Sequence, residues 1–186
     1  MIIFLRRIIA NRKGVTAVEF AFVAPVVLLM IFATIEISWF MLSSVILESA
    51  VREASRAGIT GYTPDGMTRS AYIEQQVDDN ILLMDKTKIN FETTIYETFA
   101  DINQPEPFTD SNANGNYDIG EPYTDVNGTG AWDADMGVAG VGGAGAVVVY
   151  RVTYPWQMMT PFIGQFFPNN GLFNITSGMV VRNEPF

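Results

Sequence analysis

From Val15 to Ile35 the chain carries a single charged side chain, Glu19. A run of about twenty residues this apolar is long enough to cross the hydrocarbon core of a bilayer as a helix. Arg6, Arg7, Arg12 and Lys13 precede it, and the next basic residue is Arg52. That asymmetry places the N-terminus on the cytoplasmic side and the remainder of the chain outside.

A secretory signal would end a shorter apolar core at a small-residue cleavage site. Here the run passes without a break into ISWFMLSSVILESAVREASRAG, where Ile37, Phe40, Met41, Val45, Ile46 and Val51 recur at helical spacing. The pattern predicts one helix over residues 15–57, about 15–38 of it in the membrane, on the order of 65 Å long at 1.5 Å per residue. Gly58, Gly61 and Pro64 supply its stop, and Pro25 is expected to kink it. The second half, with Glu48, Arg52, Glu53 and Arg56, is amphipathic and suited to pack on a head formed by residues 58–186.

The chain has neither cysteine nor histidine. That excludes disulfides and thiolate metal sites and removes the usual general base and zinc ligand. Four of the eleven basic residues lie ahead of Val15, leaving seven against twenty acidic residues, a net charge of −13. A body this acidic repels polyphosphate, so no nucleic-acid partner is expected.

Two carboxylates interrupt the apolar helix. Glu19, near its start, calls for a partner. Cleavage between Gly14 and Val15 would create one, the new α-amino group one helical turn away or its equivalent from a neighbouring subunit. A hydrated or protonated Glu19 among lipid headgroups is the other option. Glu36 is expected to be a hydrated carboxylate where the helix leaves the membrane.

The stretch KGVTAVEFAFVAPVVL resembles the N-terminus of the type IV pilin superfamily, in which a prepilin peptidase cuts after glycine and the mature chain carries glutamate at its fifth residue. The wording AVEFA, the proline-interrupted apolar run and SVILESAVREASRAG are similar to TadE-like pseudopilins of the tight-adherence (Flp) pilus system. YRVTYPWQMMTPFIGQFF and SGMVVRNEPF resemble the C-terminal segment of such proteins. The resemblance covers residues 12–58 and 148–186. It implies a minor pilin-like subunit in the bacterial inner membrane, its head in the periplasm or carried into the extracellular pilus. It further implies residues 1–14 as a leader, Gly14 and Val15 as the processing site, and Glu19 as the residue that neutralises a neighbour's amino group and sets helix register. The implied partners are the prepilin peptidase, other pilin and pseudopilin subunits, the inner-membrane assembly machinery and membrane lipid.

In the head, Ala71, Tyr72, Val77, Ile81, Leu82 and Met84 follow a helical rhythm behind Thr68, a suitable N-cap. KINFETTIYETF alternates as a half-buried strand, and GAVVVYRVTYPW and LFNITSGMVVRN are rich in strand formers. TPFIGQFF between them reads as a short helical turn. The expected fold class is α+β: a long N-terminal transmembrane, pilin-like helix, then a small head with an antiparallel sheet, one further helix and an inserted loop repeat. The aromatic and methionine residues from Tyr154 to Phe167 are expected to serve as core or helix packing, with a ligand pocket as the alternative.

The insertion, residues 105–136, lies in a block with no basic residue between Lys88 and Arg151 and ten acidic ones from Glu92 to Asp135. EPFTDSNANGNYD and EPYTDVNGTGAWD repeat at a fifteen-residue offset, pairing Glu106 with Glu121, Phe108 with Tyr123, Asp110 with Asp125, Tyr117 with Trp132 and Asp118 with Asp133. The first copy fits the calcium-loop template, with Asp110, Asn112 and Asn114 at alternating positions, Gly115 at the turn, the carbonyl of Asn116, then Asp118 and a closing Glu121. The second offers Asp125, Asn127, Thr129, Asp133 and Asp135 but has Met136 at the closing position, predicting a weaker site. The loops resemble dockerin-like and thrombospondin-type calcium repeats, and Ca2+ is the cofactor expected. Asx turns in an acidic excursion that binds nothing tightly are the alternative. GVAGVGGAGA lacks the Lys-Ser/Thr pair of a phosphate-binding loop and is expected to be a flexible return to the sheet.

These features favour a non-enzymatic assembly subunit with a calcium-stabilised head. The alternative is an uncleaved, membrane-anchored, calcium-binding surface adhesion protein, and the fate of Gly14 separates the two. A hydrolase using Asp/Glu pairs ranks below both, because the clustered carboxylates already have loop spacing.

Overall fold

The computed structural model describes residues 14–81 and 83–186. The basic residues Arg6, Arg7, Arg12 and Lys13 of the expected leader, and Leu82, lie outside the described residues.

The apolar run and its continuation form one helix, α1 (Val15–Ile59), which passes through Pro25 without interruption. It is long and apolar enough to cross a membrane, and its most apolar window has a mean hydropathy of 2.4 with 6% of that window buried. The hydroxyls of Thr34 and Ser38 donate to the carbonyls of Met30 and Thr34, each at 2.8 Å. Such backbone partners one turn away let hydroxyls sit in an apolar helix without water.

The second helix, α2 (Arg69–Asn80), starts where expected, because the Thr68 side chain accepts from the N–H of Ala71. It ends earlier than the sequence rhythm suggested, with Ile81 already outside it. The strands are β1 (Asn90–Tyr96), β2 (Val138–Ala139), β3 (Val147–Gln157) and β4 (Leu172–Arg182), in the order β2-β1-β3-β4. β1 pairs antiparallel with both neighbours, Phe91 opposite Val152 and Thr94 opposite Ala139. The glycine-rich return is therefore more than a linker, since two of its residues add an edge strand. A short helix, α3 (Pro161–Gly164), lies between β3 and β4.

By contacts the chain divides into two compact units. The larger comprises residues 43–156 and 173–186. Its core is formed by Leu47, Ala50, Val51 and Ala54 on one face of α1, Ile73 and Val77 on α2, and Val148, Tyr150 and Val152 on β3. Gly58 sits under Tyr150, where a Cβ would lie 1.9 Å from the phenol oxygen. Only glycine admits the ring there. Burial raises the Tyr150 pKa above its ordinary value. Arg69 closes this end of α1, donating to the carbonyls of Gly58 and Gly142 with its guanidinium 4.7 Å from the centre of the Phe186 ring. A cation at a helix C-terminus also suits the helix dipole. The opposite face of β3 is covered as well, with Tyr96, Val147 and Val149 packed against Ile102 and Met136.

The other unit comprises residues 14–42 and 157–172. Two expectations fail in it. Met159, Phe162 and Phe166 are 60%, 65% and 77% exposed, so the run serves as core only in part, with Trp156 buried and Met158 and Ile163 half-buried. Glu36 is 4% exposed, not hydrated, and its Oε1 accepts from the backbone N–H of Thr160. A buried carboxylate needs hydrogen-bond donors, and a chain segment 124 residues away brings one to it.

Candidate functional site

The insertion folds by pairing its two copies. Phe108 and Tyr123 form an antiparallel bridge. The N–H of Thr109 donates to Pro122 and that of Thr124 to Pro107, both at 2.8 Å. Exchanging the copies reproduces this pair, so the loops are related by a local twofold. The equivalent rings Tyr117 and Trp132 stack with centroids 4.4 Å apart, and Phe108 meets both edge-on at 5.8 and 5.9 Å. These aromatics form a small hydrophobic centre beneath the polar loops.

In the first loop the Asp110 carboxylate accepts from the N–H groups of Gly115 at 2.7 Å and Asn114 at 3.2 Å. Those donors, Gly115 foremost, hold its pKa below the usual carboxylate value, against a smaller opposing effect of burial. Gly115 itself has φ of 80°, the left-handed conformation the tight loop requires. The side-chain oxygens of Asn112 and Asn114 accept from the N–H groups of Asn114 and Asn116. Their amide nitrogens both reach Asp118 Oδ2, at 2.6 and 2.7 Å. Glu121 completes the loop, with Oε1 accepting from Ser111 at 2.8 Å and Oε2 from Asp118 at 3.1 Å.

The second loop repeats this frame. Asp125 accepts from Gly128 at 2.7 Å and Gly130 at 3.0 Å. The Thr129 hydroxyl and the Asn127 amide donate to Asp133 Oδ2 at 2.6 and 2.9 Å and, in that order, lower its pKa. The closing contacts come from Glu106: Oε1 accepts from Val126 at 2.7 Å and Asn127 at 3.2 Å, and Oε2 from Asp133 at 3.0 Å. Glu106 thus does for the second loop what Glu121 does for the first, and it is fully buried. Met136, at the expected closing position, is committed to the core beside Tyr96. Asp135 turns away too, accepting from the Tyr96 hydroxyl at 2.9 Å and the Gly137 N–H at 3.1 Å.

The repeat pairs Glu106 with Glu121, but the calcium-loop template assigns a role only to Glu121. The usable signal was the repeat itself, since a twofold that places Glu121 on one loop must place Glu106 on the other. Among the described residues no group of three or more His, Cys, Asp or Glu side chains converges as a metal site. The loop oxygens come instead from mixed carboxylate, amide, hydroxyl and backbone groups. The side-chain amides of Asn112 and Asn114 direct their N–H2 groups at Asp118, where a cation would need their oxygens. A half-turn of each amide about χ2 would present Oδ1 there in exchange for the contacts those oxygens accept from the Asn114 and Asn116 N–H groups, and each carboxylate oxygen keeps a second lone pair beside its N–H contact. Oxygen donors of these kinds are the ones a hard cation takes.

The other candidate site lies at the start of α1. Gly14 precedes the helix, Val15 is its first residue, and Glu19 is exposed one turn in. All three are exposed.

Residues 14–56 match the family model described as TadE-like protein. The match begins at Gly14 and ends inside α1, leaving the rest of the chain without a counterpart in it. No curated protein matches the chain, and no solved structure matches it.

Proposed function

We propose that this chain is a minor pilin-like subunit that acts in assembly of a tight-adherence pilus. The observation that carries this is the coincidence of three limits: the family match starts at Gly14, the helix starts at Val15, and Glu19 stands exposed at the fifth helical position. A prepilin peptidase would cut between Gly14 and Val15. Glu19 would then face the α-amino group of an adjoining subunit within lipid, where an unmatched charge is expensive and pairing fixes the axial register. The protein is anchored in the bacterial inner membrane by α1 with its head in the periplasm. Its role is structural, and its partners are other pilins and the assembly machinery.

The paired loops would bind Ca2+ through Asp110, Asn112, Asn114, the Asn116 carbonyl, Asp118 and Glu121 in one copy, and Asp125, Asn127, Thr129 and Asp133 with Glu106 in the other. What supports this is the mixed oxygen set in a twofold frame that both glutamates close. At extracellular calcium, a dissociation constant of about 0.1–1 mM suffices to order the insertion.

The deciding experiment is intact-mass analysis and N-terminal sequencing of the protein from its own membranes or sheared surface fibres. A chain beginning at Val15 is expected. A chain retaining its leader would overturn prepilin processing and leave a permanently anchored calcium-binding surface protein.

A further inference from the structure

The segment between β3 and β4 is built, not loose. Its ends are joined by the Met158 N–H donating to Gly171 at 3.0 Å and the Gln157 amide donating to Asn170 at 2.9 Å. A Cβ on Gly164 would meet the Asn170 carbonyl oxygen at 2.8 Å, and one on Gly171 would meet Gly164 Cα at 2.9 Å, so the two glycines let the loop close on itself. This closed loop nevertheless turns large apolar side chains outward. Met159 is 60% exposed, Phe162 65% and Phe166 77%, and the two phenylalanine rings touch edge to face at 5.7 Å. From Gln157 to Gly171 there is no charged residue.

The loop's position along α1 is fixed by Glu36. Its carboxylate is 4% exposed, with one oxygen on the Thr160 N–H and the other without a partner among the described residues. Glu36 lies twenty-one residues beyond Val15, about 30 Å at 1.5 Å per residue, which is one hydrocarbon thickness. Thr160 and the aromatic turn that follows it therefore stand level with the outer boundary of the bilayer that α1 crosses. Trp and Tyr concentrate at that depth, Phe and Leu form the apolar face of segments that lie in it, and Trp39 is three residues further along the helix.

We propose that the turn bearing Met159, Phe162 and Phe166 inserts into the outer leaflet of the membrane that α1 spans, with Glu36 as the positioning residue that sets its depth. The inference rests on the membrane reading of α1. Its occupant is lipid because Glu36 holds the turn beside the exposed apolar run of α1, which the membrane reading places in the bilayer, and because the turn carries no charge with which to select a protein partner. The side chains enter about 5–10 Å into the headgroup and acyl boundary. Together with α1 they give the subunit a second foothold that resists tilting before it joins a fibre.

The chain has no cysteine, so a single introduced thiol reports from one place. Full-length protein carrying Phe162→Cys or Phe166→Cys is spin-labelled, reconstituted in phosphatidylethanolamine and phosphatidylglycerol vesicles, and probed by power saturation with oxygen and with a water-soluble nickel chelate. Leu28→Cys marks the span, and Ile119→Cys, at a fully exposed head position, marks water. Labels at 162 and 166 that favour oxygen several-fold over nickel relative to position 119 support insertion. Labels as nickel-accessible as position 119, with position 28 in lipid, overturn it while leaving the span intact. Exclusion of both reagents that disappears when the protein is diluted in lipid identifies a second copy as the cover and also overturns it. A nickel-accessible label at position 28 removes the span and the inference together. In the Phe166→Cys background, Glu36→Ala is expected to raise nickel access several-fold and Glu36→Gln, which keeps an acceptor for Thr160, to restore it. Equal depth in both variants would remove Glu36 from its positioning role.

Discussion

Glu106 and Glu121, fifteen residues apart, close the two loops of the insertion by equivalent pairs of contacts, one oxygen on the loop's second residue and the other on its ninth. They differ in burial, Glu106 being inaccessible while Glu121 is partly exposed. Glu106 is held to the second loop through its backbone as well, since its carbonyl accepts from the Trp132 indole at 2.9 Å.

That relationship predicts unequal consequences. Glu121→Gln should weaken calcium binding at one loop by at least about tenfold, as losses around a metal ligand set commonly do, and leave the head folded. Glu106→Gln should weaken the second loop comparably and, in addition, loosen the insertion, because a buried carboxylate that accepts three N–H groups is replaced by an amide with one acceptor oxygen. Calorimetric calcium titration of the detergent-solubilised chain, with near-ultraviolet circular dichroism of the stacked Tyr117 and Trp132, separates the two effects. Identical, negligible heats in wild type and both variants would remove calcium from the account and leave the glutamates as structural caps.

Acid should undo the same loops. Asp110 and Asp133 are held below their ordinary pKa by the N–H and O–H donors that contact them. A carboxylate with a depressed folded-state pKa contributes stability above its unfolded value, about 3.9, and loses it as pH falls through the folded value. The near-ultraviolet signal is expected to stay flat from neutrality to about pH 5 and to collapse below about pH 4. In Asp110→Asn with Asp133→Asn the acid transition should flatten. An unchanged transition would assign the acid sensitivity to other carboxylates.

Much of the fold could be read locally. The apolar run gave α1, Thr68 gave the start of α2, and the valine- and threonine-rich runs gave β1, β3 and β4. What escaped depends on chain segments far apart in sequence. Glu106 acquires its role only when the two copies pair, and Met136 leaves the loop only because Tyr96, Val147 and Val149 offer it a core. Glu36 is covered by Thr160. Phe162 and Phe166 read as core because composition records that a side chain is apolar and says nothing about which phase it meets. Pattern rules tie hydrophobicity to burial, and apolar side chains left exposed break that tie.

Packing of α1 on β3 should be sensitive at one atom. Gly58→Ala would place a Cβ 1.9 Å from the Tyr150 hydroxyl and 2.7 Å from Tyr150 Cζ, and overpacking of this kind costs about 1–3 kcal/mol. Tyr150→Phe alone should be neutral or stabilising by about 1 kcal/mol, because the buried hydroxyl is removed along with its need for a partner. That hydroxyl has none among the described residues. In the double variant the loss from Gly58→Ala should shrink without vanishing, since the ring carbon remains. Urea midpoints of the four proteins measure this coupling, and strict additivity would mean that the helix shifts to avoid the ring.

Arg69 offers the last test, because its two carbonyl contacts, to Gly58 and Gly142, use different nitrogens of one planar fork while the same plane lies over Phe186. Lysine keeps the charge but has a single compact ammonium that cannot span both carbonyls or stack on the ring. Arg69→Lys is therefore expected to lose about 1–2 kcal/mol, one hydrogen bond to a charged donor and part of a cation–π contact. Arg69→Met, which keeps the apolar stem and abandons the charge, should lose more, because the carbonyls of Gly58 and Gly142 then lack this donor. The order arginine, lysine, methionine in urea midpoint marks Arg69 as the clasp between the end of α1 and the glycine-rich return. If lysine matches arginine, charge alone holds that end of the helix and the fork geometry is incidental.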